Sequence, residues 1–491
     1  MLNKIKEKYH SMPVQTKASL WFLVCSFLQA GISVLTTPIF TRLLSTGEYG
    51  DYNVFISWMR IITVFVSLQL YFGVYVQGLV KFDEDKKVFT SSLQGLTLTL
   101  VLVWAVIYLP TRGLWNNLFQ LPTAQMVAML VMIWTTGVFN FWAAWQRNEL
   151  EYRKLVALTA VVTLAKPVVG IIAVQLFRDK VTAWILGLMC VELVCYTWLF
   201  FHQMRQGRRF FSKRYWRYAL GFNIPLVPHY LSEIVMNSMD RIMIKRMVSS
   251  GTAGIYSLAY SLSHVMILFN NALIQTIAPW IYKKIRLQRT QDIAPIAYAA
   301  LVMVAAVNIL LIAFAPEAVR IFAPKEYYDA IWIVPPVAMS VYFIFSYSLF
   351  SEFEFYFEKT KFITLATATS AVMNIILNYI FIQMFGYYAA GYTTLVCYIM
   401  YATFHYLFMR RICRDYMDDV QPYDTRILLR ITLIFMAVGF LFLISYLNIF
   451  IRYGLILILF VILFLKRKTI MGSAKAFLTI RKNKDSTAET N

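Results

Sequence analysis

The sequence predicts an all-α polytopic membrane protein of about 14 transmembrane helices, arranged as two pseudo-symmetric six-helix bundles plus two C-terminal helices. Of the 491 residues, 59% are hydrophobic and 14% are charged, whereas an ordinary soluble domain has about 25% charged residues. Apolar stretches of about 20 residues, enough for a helix to cross a bilayer, recur along the chain. The loops between them alternate between basic and nearly neutral. This composition excludes a soluble enzyme, a disordered chain and a disulfide scaffold.

The predicted spans follow one another in chain order, and the limits of each apolar run set the helix ends. Their even number places both termini on the same side of the membrane. The first span follows a polar stretch without a small-residue cleavage site, so we expect an uncleaved anchor. The fourteen spans lie near residues 18–40, 53–79, 88–110, 123–146, 155–177, 181–203, 218–241, 253–280, 293–315, 330–354, 361–384, 387–409, 428–447 and 449–466.

The charge distribution assigns the sides of the membrane. The chain has 46 basic and 25 acidic residues, a net charge of +21. Lys and Arg concentrate in alternate loops, which the positive-inside rule assigns to the cytoplasm together with both termini. We interpret the excess charge as a topology signal with attraction to anionic lipid, and expect no nucleic-acid partner. The predicted location is the cytoplasmic (inner) membrane. The basic loops are residues 81–87, 147–154, 205–217, 283–289 and 410–430, followed by the tail from 466.

Motifs for covalent or metal chemistry do not occur in the sequence. The five cysteines are scattered through apolar segments, without a CxxC motif or a Cys/His cluster, so we expect no metal site. HExxH, GxSxG and P-loop signatures are also missing. The sequence therefore predicts a protein that is not an enzyme and holds no cofactor.

An internal repeat predicts the two related bundles. Arg42–Tyr52 and Arg246–Tyr256 share Arg, Ser, two glycines and Tyr without gaps at an offset of 204 residues, and residues 154–163 match 361–370 more weakly at 207. Two six-helix copies of the same orientation, related by an axis along the membrane normal, are typical of transporters. The alternative is a turn chemistry used twice, in which the glycines permit tight helical entries.

The repeat gives the predicted domain organisation. The segments are a cytoplasmic N-terminus (1–17), an N-terminal six-helix bundle (18–203), a basic cytoplasmic linker (204–217), a C-terminal six-helix bundle (218–409), a cytoplasmic loop (410–427), transmembrane helices 13–14 (428–466) and a cytoplasmic tail (467–491).

Two cations lie near the middle of predicted spans. Arg60 is in the second span and Lys166 in the fifth. Ionisable residues at membrane depth are costly and usually face a cavity or a partner. We interpret them as part of a cationic cavity for an anionic ligand. The alternative is a structural ion pair for each, with Glu192 or Glu233 as the counter-charge.

Polar residues form one-sided stripes on several spans. At 100° per residue, the polar residues of the seventh span share one face. His264 lies on a similar stripe of the eighth span. We interpret these stripes as lining of a wet cavity and as ion-coupling candidates, and the alternative is interhelical hydrogen bonding. Pro225 and Pro228 just before this stripe predict a hinged helix. The stripe of the seventh span consists of His229, Glu233, Asn237 and Asp240.

Several motifs occur along the chain in a definite order and spacing. They are Phe40–Val54 after the first span; Met239–Arg246 followed by Gly254–Tyr260; Ala315–Pro316 leading to Glu326–Tyr328; and Asn374–Asn378 leading to Phe385–Gly386 and Ala389–Gly391. Through these motifs the chain resembles the polysaccharide flippase (Wzx-type) family of the multidrug/oligosaccharidyl-lipid/polysaccharide exporter superfamily. The resemblance covers the first twelve spans, and the last two match only in number and hydropathy.

The resemblance implies a V-shaped, two-bundle transporter that works by alternating access. Its substrate would be an undecaprenyl-diphosphate-linked oligosaccharide for O-antigen, lipopolysaccharide, capsule or exopolysaccharide assembly, with a polysaccharide polymerase and a chain-length regulator as partners. By depth and face, the diphosphate-binding role is carried to Arg60 and Lys166. The remaining expected residues are Arg42, Arg241 and Arg246 near the outer mouth, and His229, Glu233, Asn237, Asp240, His264 and Glu192 for ion coupling by H+ or Na+ or for lining the cavity.

Two other functions stay open at this stage. An ion-coupled drug or cation antiporter of the same superfamily would use acidic residues such as Glu233 and Asp240. A membrane polysaccharide polymerase or ligase would need a substantial outer catalytic loop, and the predicted outer loops are short.

Overall fold

The long apolar runs fold as helices, because backbone N–H and C=O groups in hydrocarbon must bond within their own segment. The computed structural model describes residues 12–465, and in this range it has seventeen α-helices, short 3-10 turns and no strand. The all-α prediction is confirmed. Residues 1–11 of the predicted N-terminus (1–17) and the whole predicted tail (467–491) lie outside the described residues.

The chain divides into two compact units, Met1–Gly254 and Ile255–Asn491. The predicted domain boundaries stay predictions. The helices of the first unit are α1 (Val14–Leu43), α2 (Thr46–Ser67), α3 (Val74–Lys81), α4 (Lys86–Phe119), α5 (Thr123–Asn148), α6 (Tyr152–Leu176), α7 (Lys180–Gly207), α8 (Lys213–Asn223) and α9 (Val227–Met247). Helix α10 (Ser250–Arg286) begins in the first unit and continues into the second, which contains α11 (Ile293–Ala313), α12 (Ala315–Phe322), α13 (Val334–Tyr356), α14 (Thr360–Phe385), α15 (Ala389–Tyr416), α16 (Thr425–Ser445) and α17 (Ile449–Leu465).

Ten helices within residues 12–465 are long and apolar enough to cross a membrane. They correspond to ten of the predicted spans, so the predicted count of fourteen is approximate. Four predicted spans have no such helix in this range. The spans 53–79 and 218–241 are interrupted. The span 387–409 falls in α15, which is polar along much of its length, and the span 449–466 corresponds to α17, which has only 17 residues.

The second predicted span is not one continuous helix, which corrects the expectation for residues 53–79. Helix α2 ends at Ser67, and Leu68 and Gln69 adopt left-handed φ angles of 49° and 47°. Gly73 has a φ of 24°, and α3 begins at the next residue. Left-handed residues cannot continue a right-handed helix, and glycine tolerates positive φ because it has no Cβ.

The seventh predicted span is interrupted where two prolines predict a hinge. Helix α8 ends at Asn223, a 3-10 turn follows over Ile224–Leu226, and α9 starts at Val227. Pro225 and Pro228 have no N–H to donate to the helix ladder. The two interruptions meet, because the Nδ2 atom of buried Asn223 donates a 2.7 Å hydrogen bond to the Leu68 carbonyl.

Local sequence explains why α2 begins where it does. Ser45 and Glu48 form a capping box: the Ser45 hydroxyl accepts from the Glu48 N–H at 3.2 Å, and the Glu48 carboxylate accepts from the Ser45 N–H at 2.8 Å. This reciprocal pair satisfies N–H groups that a helix start leaves without partners.

The two copies of the repeated motif pack against each other within the first unit. A methyl group at Gly50 would overlap the carbonyl oxygen of Ser250, and one at Gly254 would overlap that of Thr46. The offset of 204 residues relates Thr46 to Ser250 and Gly50 to Gly254, so the two contacts are exchanged copies of each other. Such reciprocity is the mark of a two-fold relation between similar surfaces. The glycines therefore permit a close helix crossing rather than a turn.

A salt bridge and a hydrogen bond stabilise this crossing. Lys245 Nζ lies 2.8 Å from Asp51 Oδ1, and the Ser250 hydroxyl donates to the same carboxylate at 2.7 Å. As a result α9, with its polar stripe, packs along α2.

In the second unit, α13 is the central helix. It is the most buried of the long apolar helices described, and it packs against α15, α11 and α16. Arg452 of α17 reaches Glu317 of α12, with Nη1 3.1 Å from Oε2. This ion pair ties the last described helix to the rest of the unit.

Substitutions at the glycine crossing test its role. Gly50→Ala and Gly254→Ala each put a methyl group where an opposing carbonyl oxygen lies, so we expect each variant to lose about 1–3 kcal/mol of stability, the usual cost of overpacking. The measurement is thermal unfolding of the purified protein in detergent. Gly31→Ala is the matched control, because nothing lies within 4 Å of a methyl group there. Wild-type melting of both crossing variants would contradict the close approach.

Candidate functional site

The packing of α5, α6 and α7 brings a buried carboxylate to the predicted mid-membrane cation of α6. Lys166 Nζ lies 2.7 Å from Glu192 Oε1. The other carboxylate oxygen of Glu192 accepts a 2.7 Å hydrogen bond from the Thr135 hydroxyl. The side chain of Glu192 is 3% exposed and that of Lys166 is 32% exposed. The structure thus has the Lys166–Glu192 ion pair that the sequence left open as an alternative, with the lysine on the accessible side.

Arg60 belongs to the same region of the first unit. Its side chain is exposed on α2. Tyr52 lies about two turns before Arg60 on the same helix. Its ring stacks on Trp184 of α7, with ring centroids 3.5 Å apart. This contact places α2, which carries Arg60, beside α7, which carries Glu192, and the binding role of Arg60 and Lys166 stays a prediction.

Three further arginines lie near helix ends that are predicted to face outward. Arg42 Nη1 donates to the Pro38 carbonyl at 2.8 Å, and buried Arg241 donates to the Asn237 carbonyl at 3.0 Å. Arg246 donates to the Leu118 carbonyl, and its guanidinium lies 5.4 Å from the centre of the Trp58 ring. Carbonyl oxygens and one ring face orient these arginines.

The polar stripe of α9 differs in burial along its length. Asp240 is 1% exposed, whereas Glu233 is exposed and His229 and Asn237 are half-buried. The Asn237 amide donates to the Glu233 carbonyl of its own helix at 2.8 Å. This back-bonding, together with that of Arg241, satisfies polar groups along the helix. The stripe therefore combines structural hydrogen bonding with one accessible carboxylate.

His264 lies on α10 in the second unit, apart from the other predicted site residues along the chain. It is half-buried, and its ring centroid is 4.0 Å from that of Tyr260. Its expected part in ion coupling stays a prediction.

The sequence analysis missed a fully buried contact between a carboxylate and an imidazole in the second unit. His405 Nδ1 of α15 lies 2.6 Å from Glu354 Oε1 of α13, and both side chains are 0% exposed. Among the described residues, the remaining atoms Glu354 Oε2 and His405 Nε2 have no hydrogen-bond partner. The rings of Tyr347 and Tyr401 flank the imidazole, with centroids 5.5 and 4.6 Å away.

A sequence signal for this pair does exist. Glu354 and His405 are each ionisable residues at the end of a predicted span, and such residues are functional candidates by default. Their pairing across 51 residues depends on how α13 and α15 pack, which periodicity along either helix does not reveal. A carboxylate and an imidazole in contact can share and release a proton.

Comparison with known proteins gives one family and one curated relative. The sequence model of a family described as "Polysaccharide biosynthesis protein" matches residues 16–285. The Lsg locus putative protein 1 of Haemophilus influenzae (strain ATCC 51907 / DSM 11121 / KW20 / Rd) is 23% identical over 209 residues, or 40% of this chain and 51% of that protein. The match thus spans about half the length of this curated relative.

Solved structures share the fold at low sequence identity. The lipid II flippase MurJ in an inward closed conformation superimposes with a TM-score of 0.65 and 14% identity, covering 92% of this chain and 99% of that one. An inward-facing multidrug resistance MATE family transporter of the MOP superfamily gives a TM-score of 0.60 and 13% identity, covering 78% and 95%. These structures are a flippase and a transporter rather than enzymes.

The Lys166–Glu192 pair makes a stability prediction. Lys166→Ala leaves the buried Glu192 carboxylate without its cation, so we expect a loss of about 3 kcal/mol, the lower end for breaking a buried pair. The double variant Lys166→Ala/Glu192→Ala removes both charges, and we expect it to be more stable than Lys166→Ala. Thermal unfolding in detergent compares them. A single variant at least as stable as the double variant would contradict a structural contribution from the pair.

Proposed function

We propose, on the premise that this chain belongs to the polysaccharide biosynthesis protein family, that it is a flippase for lipid-linked oligosaccharides. It carries undecaprenyl-diphosphate-linked repeat units across the cytoplasmic membrane for O-antigen, capsule or exopolysaccharide assembly. The observation that carries this proposal is the family match, which covers more than half of the chain. The likeness of the fold to a lipid II flippase supports it.

The chemistry of the substrate explains why cations belong in such a protein. A diphosphate bearing sugars does not cross hydrocarbon unaided, because charged and hydroxyl groups lose their hydration there. Guanidinium and ammonium groups replace part of that hydration by charge-assisted hydrogen bonds. In the proposed alternating-access cycle, Arg60 and Lys166 bind the diphosphate in a cationic central cavity. Arg42, Arg241 and Arg246 act nearer the outer mouth.

The ion pair of Lys166 adds a step to this proposal. Lys166 already contacts Glu192 at 2.7 Å, so a diphosphate competes with that carboxylate for the ammonium group. The substrate therefore displaces Glu192 from Lys166 as it binds, and the ion pair re-forms when the substrate leaves.

Energy coupling is the second part of the proposal. H+ or Na+ is the coupling ion, with Glu233, Asp240 and His264 as candidates from the sequence. The buried Glu354–His405 pair adds a proton site in the second unit, since its two groups are in contact and fully buried. The polysaccharide polymerase and the chain-length regulator are proposed partners that take the product onward.

A drug or cation antiporter is the second candidate. Its supporting observation is the compensation of Lys166 by Glu192, which lowers the net positive charge of the region, together with exposed Glu233. Expression in a drug-sensitive strain separates the two functions. An antiporter raises resistance to cationic drugs, whereas an oligosaccharide flippase restores surface glycan in flippase-deficient strains and leaves drug sensitivity unchanged.

Complementation tests the diphosphate-binding residues. In flippase-deficient strains with defined repeat units, we expect Arg60→Ala and Lys166→Ala to reduce surface glycan at least about tenfold, because each loses a charge-assisted contact worth more than about 1.4 kcal/mol. Arg60→Lys and Lys166→Arg keep the charge and should retain part of the activity. Arg178→Ala, at an exposed loop arginine, is the control, and immunoblotting of membranes checks insertion. Normal glycan in both alanine variants would remove these residues from the site.

Glu354→Gln tests proton coupling in the second unit. This variant keeps the shape of the side chain but removes its titration, so we expect transport in proteoliposomes to lose its response to an imposed pH gradient. The measurement is the rate of substrate movement with and without the gradient. Glu358→Gln, at an exposed glutamate beyond the end of α13, is the matched control. A normal gradient response in Glu354→Gln would place coupling elsewhere.

A further inference from the structure

A polar cavity lies inside the first unit, separate from the Lys166–Glu192 pair. Its volume is about 230 Å³, and its walls come from the starts of α4 and α6, the ends of α5 and α7, and the loop between α5 and α6. These segments adjoin three of the basic loops that the sequence assigns to the cytoplasm. The cavity therefore opens near the predicted cytoplasmic face, within a single bundle.

The lining of the cavity combines aromatic rings with side-chain amides. Trp142 and Trp145 contribute indole rings, and Gln146, Gln203 and Gln206 contribute amides. An amide group both donates and accepts hydrogen bonds, which suits the hydroxyl groups of a sugar. An aromatic ring offers an apolar face with a polar edge, which suits the C–H face of the same sugar.

Second contacts fix the orientation of this lining. One orientation of the Gln146 amide satisfies both of its neighbours. In this orientation its nitrogen donates to Glu151 Oε2 at 3.0 Å, and its oxygen accepts from the Trp142 indole N–H at 3.1 Å. Lys86 Nζ is 2.7 Å from Glu149 Oε1 and 5.6 Å from the centre of the Trp145 ring. Both indoles are therefore held in place before a ligand arrives, and such preorganisation favours binding.

One buried donor in the lining lacks a partner. Gln203 is 4% exposed, and its Oε1 atom accepts from the Gln94 amide at 2.6 Å. Its Nε2 atom has no hydrogen-bond partner among the described residues. A buried donor without an acceptor costs about 1–3 kcal/mol. Gln94 Oε1, in the same amide pair, likewise has no hydrogen-bond partner among the described residues, so this pair beside the cavity has one unused donor and one unused acceptor.

The charge and the volume of the cavity limit the class of ligand that it can bind. The two carboxylates of the lining are paired with lysines: Glu151 with Lys154 at 2.6 Å, and Glu149 with Lys86. Lys87 also lines the cavity, so these groups leave a net charge of about +1. A single excess cation beside two carboxylates is a weak site for a diphosphate, and it does not attract a cation. The volume is below the roughly 300–1,000 Å³ of sites for drug-sized ligands, so it suits one or two sugar rings rather than a whole repeat unit.

We propose that this cavity is a binding subsite for a neutral saccharide, and that it receives an end sugar of the lipid-linked oligosaccharide on the loading side. The role in receiving an end sugar of the lipid-linked oligosaccharide rests on the proposed function, whereas saccharide binding itself does not. In this subsite the sugar contacts the Gln203 and Gln206 side chains and the two tryptophans. Meanwhile the diphosphate is bound elsewhere by cations.

Tryptophan fluorescence of the full chain in nanodiscs measures binding directly. D-glucose, D-galactose and N-acetyl-D-glucosamine are titrated at millimolar concentrations, with D-glucuronate as the charged comparison. We expect at least one neutral sugar to change the emission, and Gln203→Leu, Gln206→Leu and Trp145→Phe to weaken its binding about tenfold or more. Gln206 is exposed, so its variant folds even if Gln203→Leu does not. Trp115→Phe, near the opposite end of α4, is the control and should bind normally.

Binding and transport failures are distinguishable. The proposal is overturned if no neutral sugar alters the emission, if D-glucuronate binds better than every neutral sugar, or if the lining variants bind with wild-type affinity. Saccharide binding without complementation in any flippase-deficient strain would support the subsite and sink the proposed function. When complementation works, Gln206→Leu should reduce surface glycan for some repeat units more than for others. An equal effect on all of them would contradict recognition of an end sugar.

Discussion

The close crossing of the two repeated motifs is the contact on which the first unit depends. Gly50 lies against Ser250 and Gly254 against Thr46, so two helix backbones approach as near as backbone atoms allow. Small residues drive such contacts in membranes, where water contributes little between helices. The crossing, reinforced by Asp51 and its partner on α9, lays the polar stripe of α9 along α2. The hydrogen bond from Asn223 to the Leu68 carbonyl separately joins the interrupted segments of the second and seventh predicted spans.

Charge pairing is the second constraint on this membrane protein. The carboxylates Glu192 and Glu354 are almost completely buried, and each contacts a basic partner on a neighbouring helix. A buried charge without a partner costs several kcal/mol, so each carboxylate needs the partner that its neighbouring helix supplies. In the proposed function, the same contacts are places where a proton or an anionic ligand exchanges with an existing partner.

The proposed diphosphate site and the saccharide cavity divide the recognition of one amphipathic ligand. Arg60 and Lys166 lie at predicted mid-membrane depth, whereas the tryptophan and glutamine cavity opens among the basic loops. Charge attracts the diphosphate over a distance, but neutral hydroxyl groups are read only by hydrogen bonds at contact range. Two separate sites on one bundle permit a common carrier to be handled while different sugars are distinguished.

Hydropathy, periodicity and proline act locally along the chain, so the all-α membrane class, the repeat, most spans and the helix interruption near Pro225 can be predicted from the residues alone. The counter-charge that Lys166 contacts, the contact between Glu354 and His405, and the break of the second span at Leu68 arise only when the helices pack. Those outcomes depend on which helix faces meet, and residues 26 or 51 positions apart carry no local signal of contact. The repeated glycine motifs are visible in the sequence, but their role in a close helix crossing is visible only in the packed structure.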